Sequence, residues 1–461
     1  MLYNRCFPVA SYKSRALKTR PGKSHAPGVV AFTGHMMDKV GRVPPRFVPR
    51  FPREKEDAVT QAIRDALDSL DARIGYCSAA CGGDIIFIEQ MLKRGGEVHV
   101  VLPYGQSLFV QDCVKVPADA GPAAQFQENQ GREWLPRFYR IRRRVASVIT
   151  LGDKRPRDNA MTSDCCCRVS LGMGLLRAAA LAAPLTLIAL WDGWSGDAPG
   201  GTRSLIRLAD SLKVSIKYLP QLLPAKVKDV IKAATPPPGI GAQPYRSTIT
   251  QEPPQQICAV LFADVRRFSE LDETKLPEFV SGYLQPLAGL IQRVRHGGYG
   301  PLDFNTWGDG LYCAFDSMLK AGKFALDLQR LTVSGKWKLA GQAETLKLRI
   351  ALHAGPIYRI PDPVFPKDTF IGTNINFAAR IEPATPPGEV YCSQAFAALA
   401  AAEGVRDFAC DYAGRKRLPK SAGTHALYSL RVRSGTEPNR TARAPHSTRR
   451  PRPTLGKPSA S

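Results

Sequence analysis

Residues 233–256, AATPPPGIGAQPYRSTITQEPPQQ, are rich in Pro, Gly and Gln and show no apolar period. A stretch of this kind offers no face to bury and reads as a linker. It divides the 461-residue chain into segments 28–232 and 257–433, each long enough to bury its own core. Residues 1–27 and 434–461 read as disordered basic tails. There is no internal repeat.

The formal charge of +24 first suggests a nucleic-acid or anionic-membrane binder. Its location argues otherwise. Segments 1–25, 132–157 and 431–461 together hold +20 of the +24, so the folded parts are near balance. A nucleic-acid partner is therefore not expected. The 11 cysteines form no repeated CxxC pair and read as free thiols, mostly buried, in a reducing compartment. The most apolar stretch, Leu175 to Trp191, is interrupted by Arg177 and Pro184. It reads as a helix, a break and a buried strand rather than a membrane span. The N-terminus lacks a secretory apolar core. The expectation is a cytoplasmic protein.

In the first segment strand and helix signals alternate. Val29–Thr33, Ala72–Ser78, Val98–Pro103, Leu185–Trp191 and Val214–Leu219 read as strands. Glu54–Leu70, the run after Gly82-Gly83-Asp84, and Arg203–Leu212 read as helices. That alternation predicts an α/β domain with a parallel sheet. Ligands of such sheets bind beyond the carboxyl ends of the strands. Three loops are placed there, carrying Gly34, then Gly82 and Gly83, then Gly200, Gly201 and Thr202. The last two open helices, whose free N–H groups suit phosphate; tight turns are the alternative use of these glycines. The pairs His35/Asp38 and Asp192/Asp197 are either metal ligands or solvated loop polars.

The second segment opens with a buried strand, Ile257 to Val265, that ends in the carboxylate of Asp264. A helix follows, with Leu276, Phe279, Val280, Tyr283, Leu284, Leu287, Leu290, Ile291 and Val294 at helical spacing; Pro286 should kink it. Two β-prone runs then flank Gly308-Asp309-Gly310, a hairpin signal that puts Asp309 at the tip. If the two strands are neighbours, both carboxylates point to one place and repel unless a cation lies between them. Oxygen-only ligands suit Mg²⁺ or Mn²⁺, with substrate phosphates completing the shell. Further on, Leu346–Gly355 reads as a strand and Thr373 onward as a helix. Asn376 and Arg380 share one face of that helix, where they can grip a ribose and a phosphoryl group. Lys416, Arg417 and Lys420 stand just before a strand at Leu427–Leu430.

Five blocks occur in order: Leu-Phe-Ala-Asp264-Val-x-x-Phe-Ser, Gly308-Asp309, Leu-His-Ala-Gly355, Ile-Gly-x-x-Ile-Asn376-x-Ala-Ala-Arg380-Ile-Glu and Pro-Gly-Glu-Val390. Together they resemble the catalytic domain of the class III adenylyl/guanylyl cyclases. The resemblance implies an α+β, ferredoxin-like domain and a lyase that turns a nucleoside triphosphate into a 3′,5′-cyclic nucleotide and pyrophosphate, with two Mg²⁺ or Mn²⁺ ions. By it, Asp264, Asp309 and the carbonyl of Val265 are metal-binding. Asn376 orients the ribose, Arg380 meets charge on the transferring phosphoryl group, and Lys420 binds phosphate, with Lys416 as the alternative. Asn305, Thr369, Phe268 and Ser269 fall at substrate-binding positions. The family draws the two aspartates and the Asn/Arg pair of one site from different subunits, which implies a homodimer. The first segment resembles Rossmann-like nucleotide-sensor and lysine-decarboxylase-like domains through its two glycine loops, which implies a small nucleotide-like or phosphorylated ligand. In related nucleoside-cleaving domains a Glu near the place of Glu89 is catalytic; a solvent-exposed helix Glu is the plainer reading.

Three positions depart from the cyclase pattern. Arg267, preceded by Arg266, stands where the family usually has Gly. Asn305 replaces the base-selecting Lys or Glu, and Thr369 replaces the usual Asp, as in many bacterial adenylyl cyclases. ATP is favoured, with GTP or a pyrimidine nucleotide open, because an amide both donates and accepts. The competing readings are an inactive cyclase fold used as a scaffold, a hydrolase in the first segment, and a nucleic-acid binder acting through the basic flanks.

Overall fold

The computed structural model describes residues 26–34, 36, 53–115, 134–152, 160–191, 200–219, 255–333, 347–364, 367–420 and 422–433. Most of both expected tails lies outside the described residues. So do the expected linker up to residue 254 and the pairs His35/Asp38 and Asp192/Asp197.

The first segment runs β1 (Gly28–Gly34), α1 (Arg53–Ser69), β2 (Ala72–Cys77), α2 (Gly83–Lys93), β3 (Glu97–Leu102), a short α3 (Gln106–Phe109), α4 (134–142), β4 (Ser147–Thr150), α5 (Ala160–Ala180), β5 (Leu185–Leu190), α6 (Thr202–Ser211) and β6 (Ser215–Tyr218). The six strands form one sheet in the order β4-β3-β2-β1-β5-β6, and every pairing is parallel. This is the parallel sheet that the alternation predicts. The strand order reverses between β1 and β5, where neighbouring crossovers leave to opposite faces.

The second segment opens with β7 (Gln255–Val265), α7 (Leu276–Phe279), α8 (Gln285–His296), β8 (Asp303–Trp307), β9 (Gly310–Phe315) and α9 (Met318–Val333). It continues with β10 (Leu348–Pro361), β11 (Asp368–Ile371), α10 (Thr373–Ile381), β12 (Val390–Ser393), α11 (Gln394–Ala402), β13 (Phe408–Leu418) and β14 (Gly423–Val432). The sheet order is β13-β14-β12-β10-β7-β9-β8, with β11 on β10. Within it, β10-β7-β9-β8 is an antiparallel fourth-first-third-second arrangement, the ferredoxin-like core. Pro286 lies in the first turn of α8, and a π-helical turn (Val280–Leu284) precedes it. Pro has no N–H to give, so the expected kink takes the form of a slipped hydrogen-bond register. Lys416 and Arg417 belong to β13 itself rather than to a loop; only Lys420 sits in the turn after it. They escape a strand reading because β13 is an edge strand with exposed charged side chains.

The two faces of this second sheet are covered differently. Ala259, Leu261, Ala263 and Val265 of β7 face a thick layer containing α8, α9 and α11. Cys258 and Val260 face the other side, where Ala378 of α10 packs with Tyr312, Ile357 and Phe370.

The two segments do not keep separate cores. One apolar core runs from Val29, Ile74 and Leu187 of the first sheet, through Val169 and Leu171 of α5, to Phe396 and Leu399 of α11 and Leu261 of β7. Helix α5 is buried over most of its length between the first sheet and α11, while Arg168, Arg177 and its C-terminal alanines reach towards solvent. That double burial accounts for the Cys165-Cys166-Cys167 run. Cys165 and Cys166 are buried, and the Cys167 thiol donates to the carbonyl of Gly200 at 3.1 Å. No disulfide joins the described cysteines. Among the described residues no helix is long and apolar enough to cross a membrane.

Candidate active site

Strand alternation sets the direction of the first carboxylate. Odd-numbered residues of β7 face the α8/α9/α11 layer, so Asp264 projects to the α10 side at the end of the strand. The β8–β9 hairpin turns on Gly308 and Asp309 alone, and Gly308 takes φ +68, a left-handed value that favours glycine. Since β9 pairs with β7 up to Ala263↔Leu311, the hairpin tip arrives beside the end of β7.

The Asp264 and Asp309 carboxyl groups are close enough to interact directly. Burial and the neighbouring Asp264 carboxyl push the Asp309 carboxyl up to about 6, against the N–H groups of Asp309 and Val265 that favour its anion. The Tyr283 hydroxyl donates to the Asp309 carbonyl at 3.2 Å and steadies the turn.

The structure adds two residues that the sequence reading gave no role. In the β7–β10 register Arg349 stands opposite Asp264, and its Nη2 donates to Asp264 Oδ2 at 2.6 Å. Its Nε approaches Glu382 Oε1 at 2.6 Å, an ion pair not aligned as a hydrogen bond. Burial raises the Glu382 carboxyl to about 7; Arg349 opposes this, while Asp264 and Asp309 add to it. Two carboxyl groups therefore share one guanidinium, with Asp309 beside the first of them. Both residues lie within or beside quoted motifs, but only strand register shows that they meet.

Asn376 is exposed and Arg380 half-buried on α10. Among the described residues no hydrogen bond or ion pair joins Asn376, Arg380 or Lys420 to the Asp264–Asp309 pair. Lys420 is exposed in the β13–β14 turn at φ +54. Asn305 is exposed on β8, and Thr369 is half-buried on β11 opposite Ile360. Phe268 turns inward against Phe279, with ring centroids 4.7 Å apart, while Ser269 is exposed. Arg267, at the position where the cyclase pattern has Gly, adopts φ +63, a left-handed conformation that favours glycine.

The first segment's loops meet at the carboxyl ends of β1 and β5. Thr33 Oγ1 donates to Thr202 Oγ1 at 3.3 Å. A β-carbon at Gly83 would lie 2.9 Å from Leu190 Cδ2, and one at Gly200 would lie 2.3 Å from the Asp164 nitrogen. Backbone packing, and a φ of +82, thus require glycine at Gly200, whereas the contact at Gly83 is with the flexible end of Leu190. The first turn of α2 already holds its own Asp84, whose Oδ2 accepts from the Ala80 N–H at 3.1 Å. Glu89 is neither a free catalytic carboxylate nor a solvated one. It makes a two-pronged contact with Arg137 at 2.6 and 3.0 Å, and Arg137 also binds Glu56. Its partner lies 48 residues away in sequence, which local pattern does not show.

The family model described as the adenylate and guanylate cyclase catalytic domain matches residues 250–431. No curated protein matches the chain. Among solved structures, the adenylyl cyclase CyaB from P. aeruginosa is 19% identical over 40% of this chain and 98% of that one, with a TM-score of 0.34. The guanylate cyclase domain of RhGC from Catenaria anguillulae, in complex with GTP, is 18% identical over 39% of this chain and 99% of that one, with a TM-score of 0.33. The first 249 residues lie outside the family match. On that match and the five ordered motifs, residues 250–431 belong to the adenylate and guanylate cyclase catalytic domains.

Proposed function

We propose that the chain is a nucleotidyl cyclase that converts a nucleoside triphosphate, ATP in preference, to a 3′,5′-cyclic nucleotide and pyrophosphate. The observation that carries this reading is the juxtaposition of Asp264 and Asp309, which the β7–β9 register brings together at the end of β7. The pair fits divalent cations: its donors are all oxygen, and its mutual repulsion is the kind a cation relieves. Among the described residues no three His, Cys, Asp or Glu side chains converge as a metal site. The two aspartates and the Val265 carbonyl would hold Mg²⁺ or Mn²⁺ together with substrate oxygens. When bound, the ions supply charge neutralisation for the triphosphate and acidify the ribose 3′-hydroxyl.

The remaining work falls to side chains, in the roles the motif resemblance implies. The Asn376 amide orients the ribose so that the 3′-oxygen is in line with the α-phosphorus. As that oxygen bonds to phosphorus and pyrophosphate departs, Arg380 meets the charge growing on the phosphoryl oxygens. Lys420 holds the leaving phosphates. Asn305 and Thr369 face the base, and Thr369 is the basis for preferring ATP.

Two copies complete each site in this reading, one supplying the aspartates and the other Asn376 and Arg380. Its support is an uncovered apolar patch on the α10 side, where Trp307 is 54% and Ile371 47% exposed. The N-terminal segment is read as a Rossmann-like regulatory domain for a small phosphorylated ligand. Among the described residues it packs through α5 on the opposite face, away from the side a second copy would occupy.

The second reading is an inactive cyclase fold serving as a scaffold. Arg349 occupying Asp264, and Arg267 standing where the cyclase pattern has Gly, favour it. One experiment separates the two. The full chain is incubated with Mn²⁺ and each of the four ribonucleoside triphosphates, beside Asp309→Ala, and products are identified by mass. A cyclic nucleotide made by the wild type and lost in Asp309→Ala supports the cyclase. None from any substrate leaves the scaffold.

A further inference from the structure

His353, the histidine of the Leu-His-Ala-Gly block, is 5% exposed in the middle of β10 and is bonded on both ring nitrogens. Its Nδ1 lies 2.7 Å from Ser393 Oγ, and its Nε2 lies 3.1 Å from Asn374 Oδ1. The partners fix the tautomer. Asn374 Nδ2 donates to the Pro356 carbonyl at 2.8 Å, so Asn374 Oδ1 is an acceptor and His353 Nε2 carries the proton. His353 Nδ1 then accepts from the Ser393 hydroxyl, which in turn accepts from the Phe396 N–H at 3.1 Å as the N-cap of α11. Burial holds the imidazole neutral, lowering its pKa to about 4.

This chain of bonds joins two helices across one strand. One end is the cap of α11, the helix against which α5 of the N-terminal segment packs. The other end is Asn374 in the first turn of α10, two residues before Asn376 and six before Arg380. The fit leaves no slack: a β-carbon on Gly355 would lie 2.7 Å from the Asn374 side chain. The ring of Phe377 packs against His353 with centroids 4.7 Å apart.

We propose that His353 is a positioning residue for the Asn376–Arg380 half of the site, acting through Asn374. This rests on the reading in which two copies share each site, and the test separates the two claims. The variants are His353→Leu, His353→Gln, Asp309→Asn and Arg380→Ala, all in the full chain. His353→Leu is expected to lower kcat by about 10-fold or more, as misplaced catalytic groups do. KM and the Mn²⁺ half-saturation should stay near the wild-type values. His353→Gln keeps a donor and an acceptor and should recover part of kcat.

Mixed dimers carrying two different tags then assign the defect. Asp309→Asn with Arg380→Ala is the control and should regain activity, because one of its two sites is intact. His353→Leu with Asp309→Asn should regain it to a similar degree, and His353→Leu with Arg380→Ala should not. If the control is active but His353→Leu fails to complement Asp309→Asn, or complements Arg380→Ala, the proposal is overturned. If the control itself stays inactive, the two-copy reading has failed. The positioning claim is then decided by kcat alone: a loss at unchanged Mn²⁺ half-saturation upholds it, and a shifted half-saturation overturns it.

Discussion

A β-carbon on Gly172 of α5 would lie 1.9 Å from the carbonyl oxygen of Ala398 on α11, so these two helices touch backbone to backbone. No side chain fits between them, and the contact leaves α11 buried on every side. Gly172→Val should therefore force the helices apart. The expected cost is roughly 1–3 kcal/mol, as for other overpacked cores. Gly174→Ala on the same helix meets only the flexible end of Leu185 at 3.0 Å and should cost less. Denaturant midpoints of both variants check this. Equal midpoints would show that the interface yields freely.

Arg349 acts as the counter-charge to Asp264 and Glu382, and a metal ion bound there has to share Asp264 with it. Arg349→Met should leave the carboxyl cluster more negative. The metal-free protein should lose roughly 1–3 kcal/mol of stability, while Mn²⁺ binds several-fold more tightly. Calorimetric titration with Mn²⁺, without nucleotide, measures the second effect. Unchanged or weaker Mn²⁺ binding would exclude Arg349 as a competitor for the site.

How much of this was legible follows from how local each signal is. The β7 run and the Gly308-Asp309 turn are set by alternation and turn chemistry, so the paired aspartates could be placed from sequence. Arg349 and Glu382 could not, because their meeting depends on β7–β10 register. Helix α11, QAFAALAAA, carries no amphipathic stripe, since α5 covers the side that would otherwise be solvated. Its burial belongs to the docking of the first segment, which no window of sequence displays. The glycine loops were legible as sharp turns at the strand ends. That Gly200 is demanded by packing against the Asp164 backbone depends on a contact distant in sequence.

Arg267 adopts φ +63 and ψ 28, a left-handed conformation that a side chain disfavours by roughly 1–2 kcal/mol. Its ion pair with Glu270 is exposed and offsets little of that. Arg267→Gly should raise the stability of the protein by about 1 kcal/mol. Thermal unfolding decides it: a lower melting temperature would mean that the Arg267 side chain holds the loop after β7 in a way its visible contacts do not account for.

Asp84 supplies a pH dependence whose sign can be worked out. Burial raises its carboxyl to about 7 in the folded protein, whereas the unfolded value lies near 3.8. Between those values the folded chain holds a proton that the unfolded chain has released. The stability contribution of Asp84 is therefore fully present below about pH 4 and is lost as pH rises through 7, at roughly 1.4 kcal/mol per pH unit. His353, lowered to about 4, slopes the opposite way, losing stability as pH falls from 6.5. Its effect is common to wild type and Asp84→Asn and cancels in their difference. The amide introduced by Asp84→Asn keeps an oxygen to accept the Ala80 N–H, so the variant removes the charge and not the contact. Asp84→Asn should match the wild type most nearly at pH 4.5 and exceed it increasingly at pH 6 and pH 8. Urea midpoints at these three values test this, and a constant difference would show that Asp84 does not titrate in this window.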